Sequence, residues 1–99
     1  MPDVIDHIHG CLVQHGALND RVYLMRLNPD ALRLILPALD ALAQEKGYGK
    51  IIARIPADAW EPFQAAGYAQ EALIPAFFAG KTDAVFVAKY LSSERERTP

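Results

Sequence analysis

A single cysteine, Cys11, in 99 residues excludes an internal disulfide framework, which needs cysteines in pairs. Charge of one sign is equally scarce. Ten Lys and Arg against twelve Asp and Glu leave a formal net charge of −2, too little positive field to gather phosphates, so no nucleic-acid partner is expected. No apolar run approaches the roughly 18–20 residues of a helical membrane span, so the expectation is a soluble chain with no membrane partner. The start, MPDVIDHIHG, has neither the cationic segment nor the apolar stretch of a secretory signal, and a reducing, cytoplasmic setting is the expectation. Neither GxGxxG nor GxxxxGK[ST] occurs, which removes two common phosphate cradles.

What is present suits one folded domain over residues 1–91. Hydrophobic residues are 52% and charged residues 22%, an ordinary globular balance rather than a disordered one. After Leu91 the chain reads SSERERTP, a polar run without an apolar anchor, read as a tail or linker over 92–99.

Val4 to Val13 and Arg21 to Leu27 read as two strands joined by the turn formers of Gly16 to Asp20. In the second, Val22 and Leu24 alternate with Tyr23 and Met25, so both faces carry apolar residues and an inner strand covered on both sides is expected. Asn28-Pro29-Asp30 is a helix start, with Asn28 as cap and Pro29 where a missing N–H costs nothing. Leu32, Ile35, Leu36, Leu39 and Leu42 keep helical spacing up to Gly47, a left-handed stop, while Pro37 predicts a kink or break near Arg33 to Leu36. Lys50 to Ile55 is a short central strand. Asp58 and Glu61 resemble a capping box opening a short helix that turns Trp60 and Phe63 inward before Gly67. Ala69 to Ile74 and Ala84 to Leu91 form a closing hairpin around residues 79–83. The order is β-β-α-β-α-β-β: an α+β class with a mixed, mostly antiparallel five-stranded sheet and two helices.

Chemical motifs are few. A strand through Ile5 to Val13 would line up His7, His9 and Cys11 on one face, but no fourth donor accompanies them, and a strand with two polar side chains and a small buried thiol accounts for them equally; no metal is assigned. Cys11 and His15 lie four residues apart and need not touch, so a nucleophilic pair has little support. The polar run from His15 to Arg21 holds an imidazole, an amide, a carboxylate and a guanidinium. Turn chemistry explains most of it. If a ligand site exists, His15, Asn19, Asp20 and Arg21 are candidates, together with Phe77 and Gly80 of the segment Ile74 to Gly80, where Pro75 prevents regular pairing.

Five separated runs carry a resemblance: HGALNDRVYLM from His15, EKGYGKI from Glu45, FQAAGY from Phe63, EALIPAF from Glu71 and AKYL from Ala88. In this order they resemble the N-terminal part of β-lysine N-acetyltransferases of the GCN5-related acetyltransferase superfamily, from about Asp6 to Arg97. The resemblance implies acetyl transfer from acetyl-CoA to an amino group of β-lysine. It also implies a C-terminal acetyltransferase domain as partner, this chain being about half of such a protein. A homodimer is the other expected partner, because an open sheet leaves edges that proteins usually cover.

In the superfamily's fold, the N-terminus of the first helix here would face the CoA pyrophosphate, which wants backbone N–H groups and positive potential. Leu27-Asn28-Pro29-Asp30 offers a proline, a carboxylate and no glycine. The tyrosine that often serves as acid, four residues before the glycine ending the next helix, is Phe63 here, and a phenyl ring donates no proton. No catalytic residue is therefore assigned, and acetyl-CoA is implied by resemblance only. The expectation is a non-catalytic domain serving assembly or substrate-pocket formation. Two alternatives stand beside it. One is a small acetyltransferase that completes its CoA site as a dimer, with a glycine-bearing loop placed opposite Asn28. The other is a module binding a small amine or amino acid through Asp20, Glu71 or Asp83.

Overall fold

The computed structural model describes residues 3–78 and 80–91; the polar tail expected over 92–99, and Ala79 of the expected turn, lie outside them. Strands β1 (Val4–Ile8), β2 (Cys11–Gly16) and β3 (Arg21–Arg26) come first, followed by a 3-10 turn (Pro29–Ala31) and helix α1 (Leu32–Lys46). Strand β4 (Lys50–Pro56), a second 3-10 turn (Ala57–Ala59), helix α2 (Trp60–Ala65) and strands β5 (Ala69–Phe78) and β6 (Thr82–Tyr90) complete the chain. The sheet order is β1-β2-β3-β4-β6-β5, with β3 and β4 parallel and every other pair antiparallel.

The α+β class is as expected, with six strands in place of five. The extra strand arises because Val4 to Val13 is not continuous. His9 and Gly10 both have positive φ, 51° and 77°, and turn the chain between Ile8 and Cys11, which pair directly. Two consecutive positive φ values are what a two-residue hairpin of primed type needs. The expected row of His7, His9 and Cys11 is thereby broken: His7 stays on β1, His9 sits in the turn, and Cys11 is fully buried in β2.

Helix α1 runs unbroken through Pro37. The break expected before it is absent, and the irregular backbone lies earlier, in the tight turn over Pro29–Ala31. Asn28 caps that turn as expected, and Gly47 ends α1 at φ 74° with its N–H returned to the Ala43 and Gln44 carbonyls. The capping box at Asp58 and Glu61 does not form: Pro56 precedes a 3-10 turn containing Asp58, and α2 has no side-chain cap.

Both helices pack on one face of the sheet. Cys11, Val13, Val22, Leu24, Ile51, Ala53, Ile55, Val85 and Val87 alternate inward from the strands and meet Ile35, Leu39, Ala43 and Phe63 in one buried cluster. Each fully buried Leu, Ile or Phe contributes about 1.5–3 kcal/mol there. The other face carries Leu12, Gln14, Tyr23, Met25, Ile52, Arg54 and Phe86, none of them fully buried. The expectation that β3 is covered on both sides is therefore corrected. Among the described residues no helix lies over Tyr23 and Met25.

Candidate functional site

The parallel pair β3–β4 is where the sheet opens. Its ladder runs from Arg21↔Lys50 to Leu24↔Ala53 and stops, while β3 continues to Arg26 and β4 to Pro56. Beyond the last paired residues the Met25 carbonyl accepts from Arg54 Nη2 at 2.8 Å, and the same guanidinium lies 5.0 Å from the Phe77 ring. Arg54 thus occupies the gap that the strands leave.

The two strand ends lead into the two 3-10 turns, and between them lies a cleft of about 410 Å³. Leu27, Pro29, Leu32, Pro56 and Phe78 give it apolar walls, with Asp58 and Thr82 as its polar side chains. Among the described residues Asp58 is the only charged one that lines it, and Asp30 lies next to Pro29 in the first turn. Among the described residues no cation lines the cleft.

Four main-chain donors at the first turn are engaged within the chain. Asn28 N–H donates to Cys11 Sγ at 3.2 Å, and Pro29 has no N–H. Asp30 N–H donates to Asn28 Oδ1 at 3.3 Å, Ala31 N–H to the Asn28 carbonyl at 2.9 Å, and Leu32 N–H to the Pro29 carbonyl. A helix start binds an anion by presenting unpaired N–H groups; these four are taken up within the chain. The place opposite Asn28 is also filled from within the chain. Asn28 Nδ2 donates to the His9 carbonyl at 3.2 Å, and a Cβ added at Gly10 would stand 2.7 Å from that nitrogen.

Phe63 lies in the core, fully buried and edge-on to Tyr68 at 5.2 Å between ring centroids. Tyr68 is the phenol that it touches. Its hydroxyl is buried with no hydrogen-bond partner. Burial first, and the Asp40 carboxylate second, push its pKa well above the ordinary tyrosine range. It sits beside Lys89, whose Nζ is 5.7 Å from the ring and donates to Asp40 Oδ1 at 3.0 Å. Lys89 belongs to the end of β6 remote from Thr82 and the cleft.

The six candidate ligand residues are not brought together. His15 is buried on the helix side, one ring nitrogen 2.8 Å from Asp6 Oδ2 and the other 3.1 Å from Tyr48 Oη. Asn19 donates to Asp3 Oδ2 at 3.0 Å, and Asp20 Oδ1 accepts from Gly49 N–H at 3.1 Å. Arg21 alone of this group reaches the open sheet face, where it lines a second concavity. Phe77 and Gly80 lie at the opposite end of the sheet, next to Thr82. Of the carboxylates weighed for an amine, Asp83 Oδ1 accepts from Ala76 N–H at 2.8 Å and Glu71 meets Tyr90 and Lys50, so both are engaged, as Asp20 is.

No protein-family profile matches the sequence. Over 92 residues, 93% of this chain, it is 30% identical to a β-lysine N(6)-acetyltransferase of Methanococcus maripaludis, and the match spans 33% of that protein. The fold is similar to that of the ribosomal-protein-S18-alanine N-acetyltransferase from Escherichia coli, with a TM-score of 0.65 and 18% identity over 83% of this chain and 60% of that one. It is also similar to a chain of the NatC complex bound to Gag peptide and CoA, with a TM-score of 0.60 and 14% identity over 89% of this chain and 69% of that one. The chain thus spans about a third of the curated relative it matches. The chain therefore has the fold of these solved acetyltransferases, and along nearly its whole length its sequence is similar to one third of a β-lysine N(6)-acetyltransferase.

Proposed function

We propose that this chain is a non-catalytic acetyltransferase-like domain that serves assembly or substrate-pocket formation beside a catalytic acetyltransferase domain. The observation that carries the reading is the closed helix start, where Asn28, Asp30, Ala31 and Leu32 have all committed their N–H groups and Pro29 has none. Acetyl-CoA, which the fold implies, does not fit the residues present. Its pyrophosphate would meet the Asp58 carboxylate in the cleft and that of Asp30 beside it, where the walls are largely apolar and, among the described residues, hold no cation. Bringing a phosphate against a carboxylate, with no opposite charge to offset desolvation, is unfavourable.

Three further features support the same reading. Phe63 supplies no proton and is sealed in the core. Arg54 bonds to the Met25 carbonyl in the gap between the diverging strands. The chain's own His9–Gly10 turn stands against Asn28, where a second copy's loop would have to approach to complete a phosphate site. Acetyl transfer to an amino group is then the work of the partner domain, and this chain contributes surface and shape. The test is equilibrium binding of acetyl-CoA to the purified chain at low salt. The reading requires no saturable binding at millimolar ligand, and a saturable micromolar isotherm overturns it.

A further inference from the structure

The sheet face opposite the helices is the largest feature left without a role. Tyr23, Met25, Ile52 and Phe86 form its centre, each partly exposed, and Tyr23, Ile52, Ala72 and Phe86 surround a concavity of about 430 Å³. A sheet with apolar residues on both faces buries both. Here α1 and α2 cover one, and among the described residues nothing covers the other.

The charges around this face are unequal. Glu71 at one rim accepts from Tyr90 Oη at 3.3 Å and lies 4.0 Å from Lys50 Nζ, so its charge is matched. Arg21 at the opposite rim rests 5.6 Å from the Tyr23 ring, and Arg54 is held by the Met25 carbonyl and the Phe77 ring. Among the described residues neither guanidinium has a carboxylate partner. The face therefore combines an apolar centre with two unmatched positive charges.

From this we infer that the open face docks an amphipathic helix of a partner protein, whose apolar ridge is bordered by carboxylates. A second copy laid face to face would bring the unmatched arginines toward one another, which like charges oppose. A helix satisfies its own backbone, so it can lie on a sheet interior whose main-chain groups are already paired, as α1 does on the other side. The concavity takes one large apolar side chain of the ridge as an anchor, and a carboxylate one turn away meets Arg21. The inference deepens the assembly role proposed above and rests on it.

The test uses the folded chain and two fluorescently labelled helical peptides of one composition. In the first, a leucine stripe is bordered by glutamates and the lysines lie behind; in the second the charges are exchanged. Fluorescence anisotropy should show the glutamate-bordered peptide binding at least about tenfold tighter, the scale on which opposed rim charges discriminate partners. Arg21→Glu should remove or invert that preference, and Tyr23→Glu should abolish binding. Leu34→Glu, at an exposed position of α1 on the far side of the sheet, should change nothing, with circular dichroism confirming that each variant folds. Equal binding of the two peptides overturns the inference, as does an effect of Leu34→Glu equal to that of Tyr23→Glu. Light scattering that shows a dimer dispersed by Tyr23→Glu assigns the face to a second copy and overturns it as well. Acetyl-CoA titration of the same sample separates the two proposals: cofactor binding defeats the non-catalytic reading, and loss of peptide discrimination without cofactor binding defeats only the docking surface.

Discussion

The Asn28 main-chain N–H points at the Cys11 sulfur, 3.2 Å away, and ties the entry to α1 to the second strand across 17 residues of sequence. A donor that could have faced a ligand is turned into the protein. Cys11 is fully buried, so its thiol acts as a small core side chain with a weak acceptor. Cys11→Ala should lower stability by roughly 1–2 kcal/mol, through lost packing and an unpaired N–H. Urea unfolding measures it. The wild-type thiol should react with a disulfide reagent only at the rate of unfolding.

Tyr68 offers a second check. Its hydroxyl is buried without a partner, so Tyr68→Phe removes an unsatisfied polar group at little cost in packing. Stability below pH 9 should be unchanged or higher by about 1 kcal/mol.

The same residue sets a pH dependence. Its pKa is raised in the folded state, so above the ordinary value of about 10 the unfolded chain releases a proton that the folded chain retains. The contribution is fully present below that pH and is lost as pH rises through and beyond it. Between about pH 9 and pH 11 the urea midpoint of the wild type should fall more steeply than that of Tyr68→Phe. Parallel curves would contradict the assignment.

Phe63→Tyr tests the missing acid. Where a phenol at this position faced a cleft, the change would be harmless. Here the new hydroxyl enters the core, and the expected result is a loss of about 1–3 kcal/mol with no acetyl transfer gained. Thermal unfolding and an acetyl-CoA turnover assay read the two halves.

The Asp6–His15–Tyr48 chain, with His15 and Tyr48 buried and Asp6 exposed, should behave as a structural tie. Tyr48→Phe keeps the packing and loses the bond to His15, for a cost of roughly 0.5–1.5 kcal/mol by urea titration. A neutral result would mean that this bond contributes nothing to the fold.

Much of the architecture was legible because it is written in local chemistry. Asn28-Pro29 opened a helical segment and Gly47 closed it, each through a backbone need that one residue type meets. Pairing β4 beside β3 and β6 also agreed with its β-branched run. The β1–β2 turn was missed because its two positive-φ residues, His9 and Gly10, lie inside a run that alternates like one strand. Pro37 was read as a breaker, yet α1 runs through it.

The site was less legible, for a different reason. His15 looked like part of a polar loop, and its burial follows from Asp6 and Tyr48, which lie 9 and 33 residues away in sequence. Tyr23 read as part of a strand covered on both sides, and Ile52 as part of a short central strand. The apolar pattern does indicate that they are to be covered, but a single sequence carries no mark of whether its own helices or a partner's do so. The expectation of a poor phosphate site, by contrast, rests on Pro29 and Asp30 directly; what the structure adds is the internal partners of the Asn28, Asp30, Ala31 and Leu32 N–H groups.

The most direct measurement is a calorimetric titration of the 99-residue chain with acetyl-CoA at low salt. The closed helix start predicts no heat beyond dilution up to millimolar ligand. A saturable isotherm with Kd tighter than roughly 100 μM, about 5.5 kcal/mol of binding free energy, would contradict it and place a cofactor site on a surface that Pro29, Asp30 and Asp58 were argued to have closed.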